Sequence, residues 1–427
     1  MEYIVENKKE RTILVGVGEE YRMAGDGFHG NALEELRLLA LTAGAQVVGA
    51  VVQPRSHIDK TYYIGKGKAH ELLDEVTRLK ASSVIFDNDL SPAQVANLQE
   101  LLNVKVLDRS GLILDIFALR ARTREAKTQV ELAQLKYLLP RLTRQWTHLS
   151  RQEGGIGTRG PGETQLEVDR RCVRDRISHL SRTLKTIKKR HDVSRKKRED
   201  YFRVTLVGYT NAGKSTLLNA LSGADVPVES RLFKTLDSTT RLLKLKATPD
   251  MLLSDTVGFI KNLPHDLIAS FQSTLDEVRE ANLLLHVVDI SSPEWEQQIG
   301  VVNTVLAELS ASETETIQVF NKIDLIENSA LIAALQSRFS KSVFVSASVG
   351  TGLGELKEAM RASVMREQSV LTMEFGPKES ELLREIYRYG IILDTRESGD
   401  GIRLTFMIPA SLAGKLGLGT KRPSSGE

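Results

Sequence analysis

The stretch GYTNAGKS, Gly208 to Ser215, stands between the apolar run VTLV and the helical run TLLNALSG. It fits the pattern G-x-x-x-x-G-K-S, a glycine-rich turn that joins a buried strand to a helix. Backbone N–H groups of such a turn converge on phosphate oxygens at the start of the helix. Lys214 is then placed to reach the outer phosphates, and the Ser215 hydroxyl to bind Mg²⁺. The stretch predicts an α/β sheet that carries a nucleoside triphosphate site.

The base of the nucleotide is predicted from two later motifs, each preceded by an apolar strand. In NKID, Asn321 to Asp324, the aspartate can accept hydrogen bonds from the ring N–H and the amine of guanine. Adenine has no such pair of donors, so a mismatch would leave a buried acceptor unpaired. We predict that the stem of Lys322 covers the base and that the backbone of SAS, Ser346 to Ser348, donates to the guanine oxygen. The predicted substrate is GTP, and an ATPase is the least favoured alternative.

The γ-phosphate and the metal are predicted to be held by residues between these motifs. In DTVG, Asp255 is expected to bind Mg²⁺ through water, and the Gly258 N–H to contact the γ-phosphate. A threonine is also needed to complete the metal coordination. The stretch LFKTLDSTTR, residues 232–241, offers three, of which we favour the first: Thr235, Thr239 and Thr240. Segments that hold a γ-phosphate relax after hydrolysis, so this stretch is predicted to act as a switch.

Two residues near the motifs bear on hydrolysis. Phe259 follows DTVG, where many GTPases carry a glutamine that orients the attacking water. Phenylalanine cannot hydrogen-bond water, so we predict slow intrinsic hydrolysis that needs outside help. Asn211 has two interpretations of equal weight, a partner for a K⁺ ion that bridges the phosphates or an ordinary turn residue.

A strongly basic region precedes the phosphate-binding stretch. Residues 118–200 carry 22 Lys and Arg against 10 Asp and Glu, a segment charge of +12 that leaves −9 on the rest of the chain. Apolar residues recur at heptad spacing on both sides of GGIGTRGPGETQLE, residues 154–167, which predicts two antiparallel helices joined by a glycine-rich tip. Pro140 should break the first helix.

The glycine-rich tip is not a second phosphate loop, because it lacks G-K-S and a preceding apolar strand. Basic helices neutralise phosphates whatever the sequence, and glycines let the backbone approach another surface closely. RNA of irregular shape is recognised through such contacts. We therefore predict an RNA-binding hairpin; the alternative is a solvated pair of charged helices with a flexible tip.

The order of strands and helices predicts an α/β protein in four parts. These are an N-terminal parallel α/β domain, a basic antiparallel helical hairpin with a Gly-rich tip, a P-loop GTPase domain with a Ras-like doubly wound sheet, and a small C-terminal α+β appendage with a disordered tail. Their predicted bounds are residues 1–110, 111–200, 201–366 and 367–427. Within the first part, GKGK at 65–68 lacks the phosphate-loop spacing, and we predict a turn between strand and helix.

Composition excludes several classes of protein. No run approaches the ~20 apolar residues of a membrane-spanning helix, and the N-terminus does not resemble a secretory signal. The single cysteine, Cys172, rules out a disulfide within the chain. These features favour a cytoplasmic protein without an integral membrane segment, and we expect a monomer.

The order of GPGETQLE, GYTNAGKS, LFKTLD, DTVGF and NKID, together with the basic hairpin, resembles the HflX family of translational GTPases over about residues 10–365. The resemblance implies binding to the large (50S) ribosomal subunit and its RNA, with the tip in the peptidyl-transferase region. It further implies GTP-controlled separation of stalled or idle ribosomes into subunits, with hydrolysis stimulated by ribosomes. Any membrane association would then come through ribosomes.

The predicted site residues fall into four groups. Catalytic roles are predicted for Lys214, Thr235 and Gly258, and metal ligation for Ser215, Thr235 and Asp255. The predicted nucleotide contacts are Gly208, Tyr209, Thr210, Asn211, Ala212, Gly213, Lys214, Ser215, Phe233, Lys234, Thr235, Leu236, Asp237, Asp255, Thr256, Val257, Gly258, Asn321, Lys322, Asp324, Ser346, Ala347 and Ser348. The predicted RNA contacts are Arg144, Gly154, Gly155, Arg159, Gly160, Gly162, Arg170, Arg171 and Arg174.

Two other functions remain compatible with these motifs. One is a GTPase switch whose basic arm meets a protein or an anionic membrane surface. The other is a GTPase that acts in ribosome assembly or RNA modification. Sedimentation with mature subunits, with immature particles and with liposomes distinguishes the three.

Overall fold

The computed structural model describes residues 10–19, 21, 33–142, 165–196, 201–223, 233, 239–245, 248–261, 272–326, 329–339, 341–376, 379–398 and 401–418. The chain forms two compact units. The first comprises Met1–Lys188, Ser230–Asp237 and Asn262–Gln272, and the second comprises Lys189–Glu229, Ser238–Lys261 and Ser273–Glu427. Within the described ranges, no helix has the length and apolar character needed to cross a membrane.

The first unit contains a parallel sheet of four strands in the order β2-β1-β3-β4. The strands are β1 (Arg11–Val17), β2 (Gln46–Gln53), β3 (Ser83–Phe86) and β4 (Lys105–Asp108), and the helices between them are α1 (Glu34–Thr42), α2 (Lys66–Leu79) and α3 (Pro92–Leu102). Apolar strand residues such as Leu14, Val15 and Phe86 are buried, as expected for a parallel sheet covered by helices. The predicted parallel α/β arrangement is confirmed.

Local sequence signals predict the start of α3 correctly and the start of α2 only in part. Ser91 caps α3 through a capping box with Gln94, and Pro92 is the first helical residue, as the sequence predicts. The predicted turn at GKGK is wrong in its extent, because Lys66 to Lys68 already form the first turn of α2 and only Gly65 lies outside it. The extended Gly65 acts as the N-cap residue, and three helix-compatible residues follow.

The basic region is helical where it is described. After β4 come α4 (Arg109–Arg120), α5 (Arg124–Leu138), a 3₁₀ turn (Leu139–Arg141) and α6 (Gln165–Lys196). Pro140 lies in the 3₁₀ turn, so the first helix ends where the proline predicts. We call α5, α6 and the residues between them the hairpin. Of its predicted tip, residues 154–167, the part 154–164 lies outside the described part of the chain, and residues 165–167 begin α6.

Two contacts fix the relative direction of the hairpin helices. Arg176 Nε donates to Glu131 Oε1 at 2.7 Å, and Arg170 Nη2 donates to the Leu142 carbonyl at 2.9 Å. Residue numbers therefore rise along α6 as they fall along α5, which makes the two helices antiparallel. Leu180, one of the heptad positions on α6, is buried.

A buried carboxylate ties the end of α5 to the first sheet. Asp108, at the end of β4, is fully buried and accepts from the Gly111 N–H at 2.8 Å, the Tyr137 hydroxyl at 2.6 Å and Arg141 Nη2 at 2.8 Å. Burial, together with the charge of Asp108, raises the pKa of Tyr137 far above its usual value, so the phenol stays a donor. Together with the Leu90 N–H, which donates to Asp108 Oδ2 at 3.3 Å, these three donors satisfy the buried charge and hold α5 against β4.

The second unit contains a six-stranded sheet in the order β10-β9-β8-β5-β7-β6. All neighbouring strands are parallel except β6, which is antiparallel to β7. The strands are β5 (Phe202–Gly208), β6 (Thr239–Leu243), β7 (Met251–Asp255), β8 (Leu283–Asp289), β9 (Glu315–Asn321) and β10 (Ser342–Phe344). The helices are α7 (Lys214–Ser222), α8 (Gln272–Arg279), α9 (Trp295–Glu308), α10 (Ser329–Arg338) and α11 (Leu353–Arg366).

The register of this sheet brings the sequence motifs to one edge. The phosphate-binding stretch, DTVG and NKID follow or end β5, β7 and β9 at their carboxyl ends, where parallel α/β sheets bind ligands. The helices α7 and α11 pack on one face of the sheet, with Leu217 and Leu356 buried against Leu285 and Val287 of β8. This apolar core holds the strand ends in place.

A small α+β segment completes the second unit, as predicted. Its strands β11 (Gln368–Phe375), β12 (Ile391–Ser398) and β13 (Gly401–Pro409) form an antiparallel sheet in the order β11-β13-β12. The helices α12 (Ser380–Tyr389) and α13 (Ala410–Lys415) accompany it. Its core contains Phe375, Ile386, Leu404 and Phe406. The predicted disordered tail, residues 419–427, lies outside the described residues.

Candidate functional site

The loop from β5 to α7 has the form that GYTNAGKS predicts. Its backbone leaves β5 at Gly208, and the helix α7 begins at Lys214. Gly213 adopts φ +94°, and a Cβ there would lie 2.2 Å from Asn321 Nδ2. Asn321 Nδ2 donates to the Ala212 carbonyl at 2.8 Å, so the NKID motif directly supports the loop. Glycine is therefore required at position 213 for both conformation and space.

Gly213→Ala is expected to destabilise the second unit by at least ~1–2 kcal/mol, the usual cost of a left-handed conformation for an L-residue, and to weaken nucleotide binding. The added methyl would also push Asn321 away from the loop. Denaturant unfolding and GDP titration measure the two effects. The matched control is Gly300→Ala in the middle of α9, where a Cβ meets nothing within 4 Å and stability should rise by about 0.5–1 kcal/mol. Equal behaviour of the two variants would contradict this assignment.

Lys214 folds back onto the loop that precedes it. Its Nζ donates to the carbonyls of Gly208 at 2.9 Å and Tyr209 at 2.8 Å, and the side chain is buried. Burial lowers the pKa of Lys214 to about 8, although the charge of Asp255 raises it. A phosphate would place negative charge beside the ammonium and favour its protonated form. The loop therefore holds a buried cation ready for an anionic ligand.

The donors for a divalent metal are already adjacent. Ser215 Oγ donates to Asp255 Oδ2 at 2.6 Å, and Asp255 is buried at the end of β7. A hydroxyl and a carboxylate oxygen are the hard donors that Mg²⁺ prefers, and this ion commonly takes its remaining ligands from water and phosphate. No group of three or more His, Cys, Asp or Glu within the described ranges could hold a metal without such help. The donor set therefore fits Mg²⁺ bound together with a nucleotide.

The three candidate threonines differ in their surroundings. Thr235, the favoured one, lies outside the described residues. Thr240 Oγ1 is hydrogen-bonded to Ser254 Oγ at 2.9 Å inside the sheet, which leaves it less free for a metal. Thr239 is the register partner of Asp255 between β6 and β7.

The DTVG motif packs directly on the phosphate-binding loop. A Cβ on Gly258 would lie 2.8 Å from Thr210 Cα and 3.0 Å from Lys214 Nζ, so only glycine permits this approach. Phe259 continues the contact, since its N–H donates to the Gly208 carbonyl at 3.1 Å and its carbonyl accepts from the Thr210 N–H at 2.8 Å. The Phe259 ring is buried. It contributes packing and cannot orient a water molecule.

The two base motifs lie side by side. Asn321 Oδ1 accepts from the Ala347 N–H at 3.0 Å, which joins NKID to SAS. Ser346 is fully buried, and its hydroxyl accepts from the Val349 N–H at 3.2 Å. Asp324 is exposed, and its carboxylate has no hydrogen bond or salt bridge to any described residue. This carboxylate is available to a ligand.

Asp289 belongs to the site but was not predicted from the sequence. Lys322 has φ +66°, and its Nζ pairs with Asp289 Oδ2 at 2.5 Å. Asp289 ends β8 at the same edge of the sheet as the motifs. The signal was an aspartate that closes the apolar strand LLLHVVD, but only the parallel β8–β9 register brings it to Lys322.

The remaining predicted residues are spread over the chain. Phe233 belongs to the first unit, where its buried ring packs edge-to-face on Phe117 with the centroids 4.7 Å apart. Arg170 is half-buried and donates to Leu142, whereas Arg174 is exposed on α6. Several predicted contacts lie outside the described residues: Lys234, Thr235, Leu236, Asp237, Arg144, Gly154, Gly155, Arg159, Gly160 and Gly162.

A glycine-rich loop before a helix, a serine–aspartate pair for a metal, and an NKID motif joined to SAS define a P-loop GTPase. Residues 203–322 match the family described as 50S ribosome-binding GTPase. Residues 30–118 match GTP-binding GTPase N-terminal, and residues 120–198 match GTP-binding GTPase Middle Region.

Similar proteins extend the match over most of the chain. GTPase HflX of Caldanaerobacter subterraneus subsp. tengcongensis is 44% identical over 410 residues, which cover 96% of this chain and 93% of the relative. GTPase HflX of Escherichia coli K12 is 45% identical over 359 residues, 83% of this chain and 84% of the relative. The chain belongs to the HflX family of GTPases, and it hydrolyses GTP.

Among solved structures, a GTP-binding protein from the hyperthermophilic archaeon Sulfolobus solfataricus in complex with GDP is similar to this chain. The two are 24% identical with a TM-score of 0.44, and the match covers 83% of this chain and 99% of the other.

Proposed function

We propose that this GTPase, as a cytoplasmic monomer, binds the large (50S) ribosomal subunit in its GTP state and separates stalled or idle ribosomes into subunits. The observation that carries the proposal is a basic antiparallel hairpin on the same chain as a GTP site. The network at Asp108 supports it, since it ties the end of α5 to the first sheet and so anchors the hairpin to a folded domain. The 50S ribosome-binding description of the family matched by residues 203–322 also supports it.

The RNA contact in this proposal is electrostatic. Arg171 and Arg174 lie on α6, and residues 118–200 carry an excess of twelve positive charges. Ribosomal RNA offers phosphates in irregular arrangements that such a surface neutralises. The glycine-rich tip would then bring backbone close to the RNA cavity at the peptidyl-transferase region.

The nucleotide controls binding to the large subunit through the residues around the γ-phosphate. Lys214 would leave the two loop carbonyls to pair with the phosphates, and the Gly258 N–H would donate to the γ-phosphate. Ser215, Asp255 and a threonine, Thr235 by preference, would hold Mg²⁺, which neutralises the phosphate charge when bound. Loss of the γ-phosphate releases these groups, and the segment that includes Thr235 relaxes.

Hydrolysis should need the ribosome as an activator. The Phe259 ring is buried, so the position after DTVG offers no hydrogen bond to the attacking water. A group supplied from outside must orient that water, and such help commonly raises turnover by about 10³–10⁵-fold in GTPases. We expect GTP turnover to rise when ribosomes are added.

K⁺ should stimulate turnover more than Na⁺ if Asn211 binds a cation. Asn211 is exposed in the phosphate-binding loop with φ +62°, a conformation that asparagine tolerates in ordinary turns. Parallel turnover measurements in the two salts at equal ionic strength separate the interpretations. Equal rates would leave Asn211 as a turn residue only.

Asp324→Asn is expected to weaken GTP binding by ~100-fold or more, because hydrogen bonds to a charged group contribute ~1.5–3 kcal/mol each. The same change should strengthen binding of xanthosine triphosphate, since the asparagine amide donates where xanthine presents an oxygen. Competition titrations with both nucleotides measure the switch. Retained binding of xanthosine triphosphate also controls for folding. Unchanged GTP affinity would remove Asp324 from the base site.

Sucrose-gradient sedimentation tests the proposed function. Intact ribosomes are mixed with the chain and GTP, a non-hydrolysable GTP analogue or GDP. We expect conversion to subunits with GTP or the analogue, and none with GDP. Intact ribosomes in every lane would contradict the proposal. Association only with immature particles would favour a role in assembly, and binding to anionic liposomes alone would favour a membrane-directed switch.

A further inference from the structure

A cavity of about 600 Å³ lies in the second unit, away from the GTP motifs. Its floor is formed by β8 and β9, and its walls by α9 and the end of α10. Gln318, on the floor, precedes Asn321 by three residues on β9, which corresponds to about 10 Å along a strand. Pockets for small ligands typically measure ~300–1,000 Å³, so the cavity has the size of a ligand site.

Two polar side chains lie next to each other on the floor. His286 of β8 and Gln318 of β9 are register partners in the parallel sheet. His286 is only 3% exposed, and neither side chain has a hydrogen bond to any described residue. Gln318 is half-buried. Buried polar groups are nearly always paired, so an unpaired His286 beside Gln318 on the floor of one cavity indicates a ligand.

The protonation state of His286 determines which hydrogen-bond donors and acceptors lie on the floor of the cavity. Burial, with the charge of Lys214, lowers the pKa of His286 to about 4. The ring is therefore neutral at pH 7 and presents one N–H donor and one acceptor nitrogen. The Gln318 amide likewise presents both a donor and an acceptor. This pair matches the edge of a nucleobase, where donors and acceptors are also adjacent.

The rim carries positive charge and the walls are apolar. Lys341 and Arg338 line the cavity, and none of the described residues that line it is acidic. Arg338 pairs with Glu296 at 2.5 Å, whereas Lys341 has no salt bridge to a described residue. Phe339 and Leu306 provide apolar surface for a ring. An anionic ligand with a flat ring fits this lining.

We propose that this cavity binds a nucleoside monophosphate, with its base hydrogen-bonded by His286 and Gln318 and its phosphate paired with Lys341. Inorganic phosphate alone would leave the His286 ring and the Gln318 amide without a partner, and an uncharged nucleoside would leave the lysine unused. The ligand would bind independently of the GTP site and of any ribosome.

Calorimetry on the full chain saturated with GDP and Mg²⁺ tests this proposal, because the GTP site is then filled. AMP, CMP and UMP are titrated in turn, with inorganic phosphate as the comparison. We expect at least one monophosphate to bind at least tenfold more tightly than phosphate. Gln318→Leu and Lys341→Ala should each weaken it at least tenfold and leave GDP affinity unchanged, and the control Lys357→Ala on α11 should change neither.

The proposal is overturned if no monophosphate binds at about 1 mM, the weak limit of a specific site. It is also overturned if phosphate binds as tightly as the nucleotides, or if Gln318→Leu leaves the affinity unchanged. The proton signals of the eight histidines give a second readout, and the signal that is absent from the His286→Phe variant belongs to His286. The His286 signal should shift when the nucleotide is added. A constant His286 signal during binding would place the ligand elsewhere.

Discussion

Lys214→Ala is expected to lower GTP turnover by at least ~100-fold, in line with the loss of a single charged donor at a reacting phosphate. Its Nζ is the cation that the phosphate-binding loop already holds, on the carbonyls of Gly208 and Tyr209. Without it, the negative charge that develops on the phosphates loses the one positively charged side chain that the loop supplies. Turnover with saturating ribosomes measures the effect.

A matched lysine separates this effect from a general loss of charge. Lys357→Ala lies on α11 of the same unit, outside every GTP motif. We expect wild-type turnover from it, and the same unfolding midpoint as the wild type within error. Turnover by Lys214→Ala within about threefold of the wild type would contradict the assigned role, since that ratio is below the ~100-fold typical of such a donor.

The double variant Arg171→Glu/Arg174→Glu is expected to weaken 50S binding by at least ~10-fold and to lower the salt slope of binding by about 2, one for each lost phosphate contact. Arg174 is exposed on α6. Arg170 is left intact because its guanidinium donates to Leu142, so its reversal would also disturb the hairpin. Binding is measured by sedimentation at several salt concentrations.

The control for this variant carries the same change in total charge. Lys357→Glu/Arg361→Glu places both reversals on α11 of the second unit. It should leave the salt slope of binding nearly unchanged. If the two double variants weaken binding equally, the effect comes from the net charge of the chain, and α6 is not the RNA contact.

The bounds of helices and strands could be predicted from the sequence where a local signal determines them. Ser91 and Pro92 mark the start of α3, and GYTNAGKS marks the join of β5 to α7. The prediction of a turn at GKGK was wrong in its extent because the glycine and lysines at 66–68 can either form a turn or begin a helix. The packing of α2 on the sheet, with Ala69 and Leu72 buried, stabilises the helical conformation.

Parts of the site that depend on strand register could not be predicted. Asp289 reaches Lys322, and His286 lies beside Gln318, only because β8 and β9 pair in one particular parallel register. Arg170 counted as one more positive charge in the sequence, yet the structure engages it with the Leu142 carbonyl. Charge is visible in composition, whereas the partner of a charge depends on how distant segments pack.

The central claim is that GTP controls how firmly the basic hairpin holds the large subunit. The direct test is the affinity for purified 50S subunits, measured with a non-hydrolysable GTP analogue and with GDP, for the wild type and the Arg171→Glu/Arg174→Glu variant. We predict tight binding only for the wild type with the analogue. Equal affinity of the wild type in the two nucleotide states, or full affinity of the variant with the analogue, would contradict the claim.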